Sequence, residues 1–244
     1  MPQVRSCTMS DITVYGATGL VGQLVARYLA SIDAPSVTLA GRNRPLLAAL
    51  RDEFNPHWDI AIASAEDATA VERMVQRTRV VITVVGPYTL YGDNVIAACA
   101  EHGVDYVDLC GEVPFIRSSI DSHHAAAQSS GARIIPSCGF DSVPSDIGML
   151  NLFLAAGKPF ARVDMVVDKL KGGISPGTID SSLQVSHAAH ADRDIARNLH
   201  NPYSLDPDPK TGPRLEGLQR DFEVRQIDGI GWVGPFFMSM FNTR

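Results

Sequence analysis

Residues 12–22, read as ITVYGATGLVG, constrain the chain more than any other stretch. A short β-rich run meets three glycines spaced three apart, Gly16, Gly19 and Gly22, and a helical pattern then continues through Ala30. Glycine suits such a corner because it permits positive φ and lets a bulky anion approach the backbone. The helix that begins there has first-turn N–H groups without acceptors and the positive end of its dipole, both favourable to phosphate. Leu20, Val21, Leu24, Val25, Tyr28 and Leu29 recur at helical spacing and are expected to form one buried face. The G-x-x-G-x-x-G spacing departs from the G-x-G-x-x-G dinucleotide fingerprint, so the strand before it and the helix after it carry the reading. No Gly-Lys-Ser/Thr follows the turn, which excludes a P-loop.

About twenty residues on, an NAD-binding chain would place an acid for the ribose 2′-hydroxyl. Here the second strand, 37–40, runs into Gly41-Arg42-Asn43-Arg44, and no Asp or Glu lies between Asp33 and Asp52. A carboxylate would repel a 2′-phosphate. Guanidinium groups bind one through charge-assisted hydrogen bonds, each worth about 1.5–3 kcal/mol. The expected cofactor is therefore NADP(H), with Arg42, Asn43 and Arg44 at its adenosine end.

The remaining pattern extends this unit. Pro45 opens a helix with Leu46, Leu47, Leu50 and Phe54 facing inward. A strand is expected at 59–63, a helix at 68–77 burying Val71, Met74 and Val75, and a central strand at 80–85, apolar throughout as in a strand buried on both faces. A helix at 93–101, a strand at 105–110, a helix from Pro114 to about Ser130 and a strand at 133–136 follow. Six strands alternating with helices predict a doubly wound parallel α/β sheet, the Rossmann arrangement, over 11–150. Residues 1–10 read as a tail, and 151–244 as the start of a second α/β substrate domain that stops incomplete at an apolar end. In that second part a helix is expected at 146–156, a long strand at 162–170 with Val163, Met165 and Val167 on one face, and a glycine-rich loop, 171–178, feeding one helix to about Asn198. Residues 201–213 read as a mobile loop. Strand residues Phe222, Val224 and Ile227 precede the apolar end.

Size, charge and cysteine usage narrow the class. The 244-residue chain is 45% hydrophobic and carries a formal net charge of −6, which with no basic run beyond Arg42 and Arg44 argues against a nucleic-acid partner. Cys7, Cys99, Cys110 and Cys138 show no metal-ligand spacing and read as reduced thiols of a cytoplasmic protein, with no metal expected. No apolar run approaches the length of a membrane span.

The stretches GATGLVG, LAGRNR, VVGPYTLYG, YVDLCGE, SCGFDSVPSD and GGISPGT together resemble the saccharopine dehydrogenase-like oxidoreductases, and among them the actinobacterial trans-acting enoyl reductases of polyketide-derived lipid synthesis. The resemblance implies an N-terminal NADP-binding Rossmann domain followed by a substrate domain. It places Gly16, Thr18, Gly19, Leu20, Val21 and Gly22 at the phosphate turn, Arg42 at the 2′-phosphate, and Gly86, Pro87 and Tyr88 under the nicotinamide ribose. Such relatives run beyond Arg244. The expected acceptor is a small-molecule or carrier-bound lipid; peripheral membrane contact and a homodimer are both compatible with that chemistry.

Hydride transfer needs an acceptor carbon held near the nicotinamide and a group to supply a proton. The Tyr-x-x-x-Lys device of short-chain dehydrogenases is absent, since none of the six tyrosines has Lys four positions on. Candidates for orientation or proton transfer are Asp141, Tyr88 and Glu112, then Tyr91 and Asp146, with Asp141 first because it sits in the CGFDS motif. His123 and His124 are expected to face solvent; His187 and His190 lie in the substrate region. Two other readings compete with an enoyl reductase: C–N chemistry on an amino-acid adduct by the same fold, and a non-catalytic NADP(H)-binding or scaffold module.

Overall fold

A computed structural model describes residues 9–34, 36–140, 142–160, 163–169, 171, 173, 175–201, 203–206 and 224–236. The chain alternates β1 (Ser10–Tyr15), α1 (Leu20–Ser31), β2 (Val37–Gly41), α2 (Arg44–Phe54), β3 (Asp59–Ile62), α3 (Ala68–Val75) and β4 (Thr78–Thr83). Then come α4 (Tyr88–Tyr91), α5 (Asp93–His102), β5 (Asp105–Asp108), α6 (Val113–Ser130), β6 (Ile134–Ile135) and α7 (Val143–Ala156). Helices α8 (Pro176–Ala191) and α9 (Arg193–His200) and a hairpin of β7 (Arg225–Ile227) and β8 (Gly231–Val233) complete the described elements.

The first six strands form one sheet in the order β3-β2-β1-β4-β5-β6, every pairing parallel. Order reverses between β1 and β4, where Tyr15 pairs with Ala40 on one side and Thr83 on the other. Alternation along β1 separates two cores. Val14 joins Leu39, Ala26, Leu29, Leu47 and Leu50 beneath α1 and α2. Tyr15 joins Val81, Tyr106, Val71, Ile96 and Ile116 beneath α3, α5 and α6. The sheet is thus wound on both faces, as the strand-helix alternation predicts. Caps explain the helix limits. Asn43 Oδ1 accepts from Leu46 N at 3.2 Å and Asp67 Oδ1 from Ala70 N at 3.0 Å, while Gly103 and Gly131 close α5 and α6 in the left-handed region.

Several expectations need correction. Helix α1 buries Gly22, Ala26 and Leu29, whereas Leu20, Leu24 and Tyr28 are 55–66% exposed. The cause is close approach: a Cβ on Gly22 would stand 2.2 Å from Gly16 O, so the helix meets the turn through its small residues and the larger apolar stripe lies opposite. Leu46 likewise faces solvent at the start of α2. Residues 163–169 form no strand, and Met165 is exposed. Period-2 patterning supplies a pleated face but not the neighbouring ladder that makes a strand. The single helix expected to reach Asn198 is two, because Asp192 adopts extended backbone and its side chain caps α9 through Asp194 N at 2.7 Å. Asp141 and Phe222 lie outside the described residues, as do 207–223 and 237–244.

Candidate functional site

Three loops converge at the carboxyl ends of β1, β2 and β4. The first is the glycine turn. Gly16 has φ +89° and donates its N–H to Ala40 O at 2.9 Å, and Gly19 N donates to Gly16 O at 3.0 Å. A Cβ on Gly16 would meet Val85 Cγ2 at 2.9 Å, so the residues after β4 press directly on the turn. Gly19 is the N-cap of α1 and offers no capping side chain. By helix geometry the amides of Leu20, Val21 and Gly22 therefore have no acceptor within α1 and remain available to an anion. Gln23 Nε2 holds Thr18 O at 3.0 Å and fixes the bend; the sequence reading missed this residue, whose only signal is its place one turn into the helix.

The second loop follows β2, where Arg42, Asn43 and Arg44 are all exposed. Asn43 is engaged as the α2 cap, which leaves the two guanidinium groups as the free binding chemistry of this loop. Tyr15, at the end of β1, has its pKa pushed up to about 12 by burial, an effect opposed by the charge of Arg42. The Arg42 cation is thus felt at the β1 edge.

The third loop, 84–88, carries a cis Gly86-Pro87 bond and leads into α4. Tyr88 and Glu112 meet here. Glu112 is 1% exposed, and its Oε1 accepts from Tyr88 N at 2.8 Å and Ser181 Oγ at 2.7 Å. Its Oε2 accepts from Thr89 N at 2.8 Å and Thr89 Oγ1 at 2.5 Å. The Tyr88 hydroxyl donates to Thr83 O and accepts from Leu109 N, each at 3.3 Å, joining the ends of β4 and β5. Burial drives its pKa far up, with Asp108 adding to the effect. Through these hydrogen bonds both side chains hold the loop to the ends of β4 and β5.

Beside them lies a carboxyl that sequence reasoning overlooked. Asp108 is 1% exposed; Oδ1 accepts from Cys110 N and Ser137 N, each at 2.8 Å, and Oδ2 accepts from the Tyr106 hydroxyl at 2.6 Å. Ser137 sits at φ +60° and donates its hydroxyl to Cys110 O at 2.6 Å. Burial raises the Asp108 pKa, against the lowering effect of its hydrogen bonds. YVDLCGE and the SCG stretch are therefore one structural joint. Its only sequence sign was an acid amid apolar strand residues.

Other candidates lie elsewhere. Asp146 is exposed in the first turn of α7, and Tyr91 closes α4. His123 Nε2 lies 2.9 Å from Asp93 Oδ1, and His124, His187 and His190 are exposed. Among the described residues no cluster of three or more His, Cys, Asp or Glu side chains could hold a metal, and no helix is long and apolar enough to cross a membrane.

The glycine turn fits a dinucleotide pyrophosphate: a Cβ at Gly16 or Gly22 would collide with protein packed behind the turn, so glycine lets it close, and by helix geometry three first-turn amides have no acceptor within α1. Comparison with known proteins agrees. Residues 12–135 match the family model described as the saccharopine dehydrogenase NADP binding domain. A Mycobacterium tuberculosis protein provisionally named a trans-acting enoyl reductase is 43% identical over 249 residues, 96% of this chain and 59% of that protein. The trans-acting enoyl reductase of Mycobacterium ulcerans is 37% identical over 249 residues with the same shares, and that of Mycobacterium bovis BCG is 38% identical over 250. The chain thus spans about three fifths of the length of these curated relatives. Apo saccharopine dehydrogenase (L-Glu forming) from Saccharomyces cerevisiae matches with a TM-score of 0.46 at 20% identity, over 61% of this chain and 32% of that one. With a glycine cradle, a cationic loop after β2 and a family match across the whole parallel sheet, the chain belongs to the saccharopine dehydrogenase family through its NADP-binding domain.

Proposed function

We propose that this chain is the cofactor-binding part of an NADP(H)-dependent reductase whose acceptor is an enoyl group on a lipid or polyketide intermediate. The observation that carries the cofactor half is the pairing of an uncapped glycine cradle with exposed Arg42 and Arg44 on the neighbouring strand end. The names of the relatives at 37–43% identity support the acceptor. NADPH, when bound, supplies the hydride. The amides of Leu20, Val21 and Gly22 take the pyrophosphate, and Arg42 with Arg44 takes the 2′-phosphate. The 86–88 loop, fixed by Glu112 and by the Tyr88 hydroxyl, supports the nicotinamide end. Asp141 remains the first candidate for orientation or proton transfer, on its motif alone. The acceptor is presented as a thioester, free or on a carrier, and a cytoplasmic site of action accords with the free, buried thiols of Cys99 and Cys110.

Calorimetric titration with NADPH and NADH tests the cofactor. Arg42→Ala should weaken NADPH by about 1.5–3 kcal/mol and leave NADH almost unchanged. Equal loss for both nucleotides would sink the assignment of Arg42. Turnover is tested separately by following NADPH oxidation with an enoyl thioester. Binding without oxidation would favour a non-catalytic module, and activity on an amino-acid adduct instead would favour C–N chemistry.

A further inference from the structure

Helix α8 begins far along the chain from the parallel sheet, yet one of its side chains reaches the buried carboxyl of Glu112. Ser181 Oγ donates to Glu112 Oε1 at 2.7 Å across 69 residues of sequence. The same oxygen receives Tyr88 N, and the other receives both the amide and the hydroxyl of Thr89. An ionised carboxylate has about four acceptor sites, and four donors meet this one. Among the described residues the partners of this buried carboxyl are two backbone amides and two hydroxyls. Each donor then counts for more than it would at a surface. The remaining side-chain hydrogen bonds of α8 given by the described residues stay local: Ser182 Oγ to Thr178 O at 2.8 Å, His190 with Ser186 O at 2.8 Å, and the Ser175–Thr178 cap. Ser181 also stands 3.8 Å from where a Cβ on Gly86 would sit. The contact is made at the loop itself.

We infer that Ser181 is a positioning residue: by completing the shell around Glu112 it fixes the 86–89 loop and so ties α8 to the nicotinamide end of the cofactor site. The ligand side of this inference rests on the NADP(H) reading given above; the loop-fixing side does not. With the hydroxyl gone, Glu112 has one open acceptor and its grip on Tyr88 N and Thr89 N loosens. With the hydroxyl kept on a slightly larger side chain, the shell is restored. Cofactor binding and the placement of α8 thereby become linked, since each favours the same loop conformation and linkage is reciprocal.

The test compares wild type, Ser181→Ala and Ser181→Thr in the full chain by amide hydrogen exchange and by NADPH titration. Ser181→Ala should speed exchange of the Tyr88 and Thr89 amides about tenfold, leave the β1 and β4 amides unchanged, and weaken NADPH by about the same factor, with Ser181→Thr restoring both. Unchanged exchange at Tyr88 and Thr89 in Ser181→Ala would overturn the inference, as would a failure of Ser181→Thr to restore it. If wild type binds no NADPH, the cofactor reading fails and the exchange comparison still decides whether Ser181 fixes the loop.

Discussion

Helices α5 and α7 are both rich in apolar residues, and they have opposite fates. In α5, Val95, Ile96, Ala98, Cys99 and Ala100 are buried between the sheet and its neighbours. In α7 no residue is buried, although Ile147, Met149, Leu150, Leu152, Phe153 and Leu154 are 41–66% exposed on every side. A helix that is apolar all round belongs to the interior of a larger packing unit. The difference shows that composition sets how much surface wants burial, while the neighbouring elements decide whether burial occurs. Around α5 those neighbours are α3, α6 and strands β5 and β6 of the sheet. Around α7 the described residues supply none of comparable extent.

The comparison breaks first, and most heavily, at Ile96. Truncation of this fully buried side chain by Ile96→Ala should cost about 2–5 kcal/mol, whereas Leu150→Ala in α7 should stay within about 0.5 kcal/mol, both read from urea denaturation. A large loss from Leu150→Ala would mean that α7 is covered in solution. Next comes the polar joint. Asp108→Ala orphans the Cys110 N–H, which is buried, and the Ser137 N–H, which is part-buried, and should cost about 1–3 kcal/mol in all.

The same carboxyl gives a pH signature. Its folded pKa is raised, so the unfolded chain releases this proton first as pH climbs, and the Asp108 contribution to stability falls from about pH 4 up to the folded pKa. Asp108→Asn should flatten that fall, and an unaltered profile in the variant would remove Asp108 from the account. The smallest effect has the opposite sign. Asp105 is held below its usual range chiefly by its hydrogen bonds with Arg133, so its contribution is present above the unfolded pKa and fades as pH drops through the folded value. Arg133→Gln should shrink that acid-side loss in a pH series of melting curves, leaving the part due to the Arg133 N–H and Arg79.

How far the sequence could be read follows from the same contrast. The parallel sheet was legible because its elements carry local signals: the Gly16 corner, Pro45 at the start of α2, the apolar 80–85 run, and the Gly103 and Gly131 stops. Local signals do not say which side of α1 is inward. That was settled by the close approach at Gly22, a contact with a turn and not a property of the helix. Candidate cradle residues and Arg42 could be nominated from the glycine turn, the missing acid after β2 and the family resemblance. The roles of Glu112 and Asp108 could not, because their donors come from positions as distant as Ser181 and Ser137. Beyond α7 the described part of the expected strand, 163–169, finds no ladder to join.

The burial of Cys110 has a chemical consequence if the acceptor is a conjugated enoyl thioester, as proposed. Such a compound is an electrophile that any nearby thiolate would attack at its β-carbon. Cys110 lies two residues from Glu112, 2% exposed, and burial, reinforced by the Asp108 charge, drives its pKa far up. It therefore stays a protonated, unreactive thiol at neutral pH. Intact mass should show no adduct at Cys110 after incubation of the folded protein with a conjugated enone, and an adduct once the chain is unfolded in guanidinium. On the proposed acceptor, the burial that encloses Cys110 at the end of β5 also shields this thiol from alkylation by a conjugated enoyl thioester.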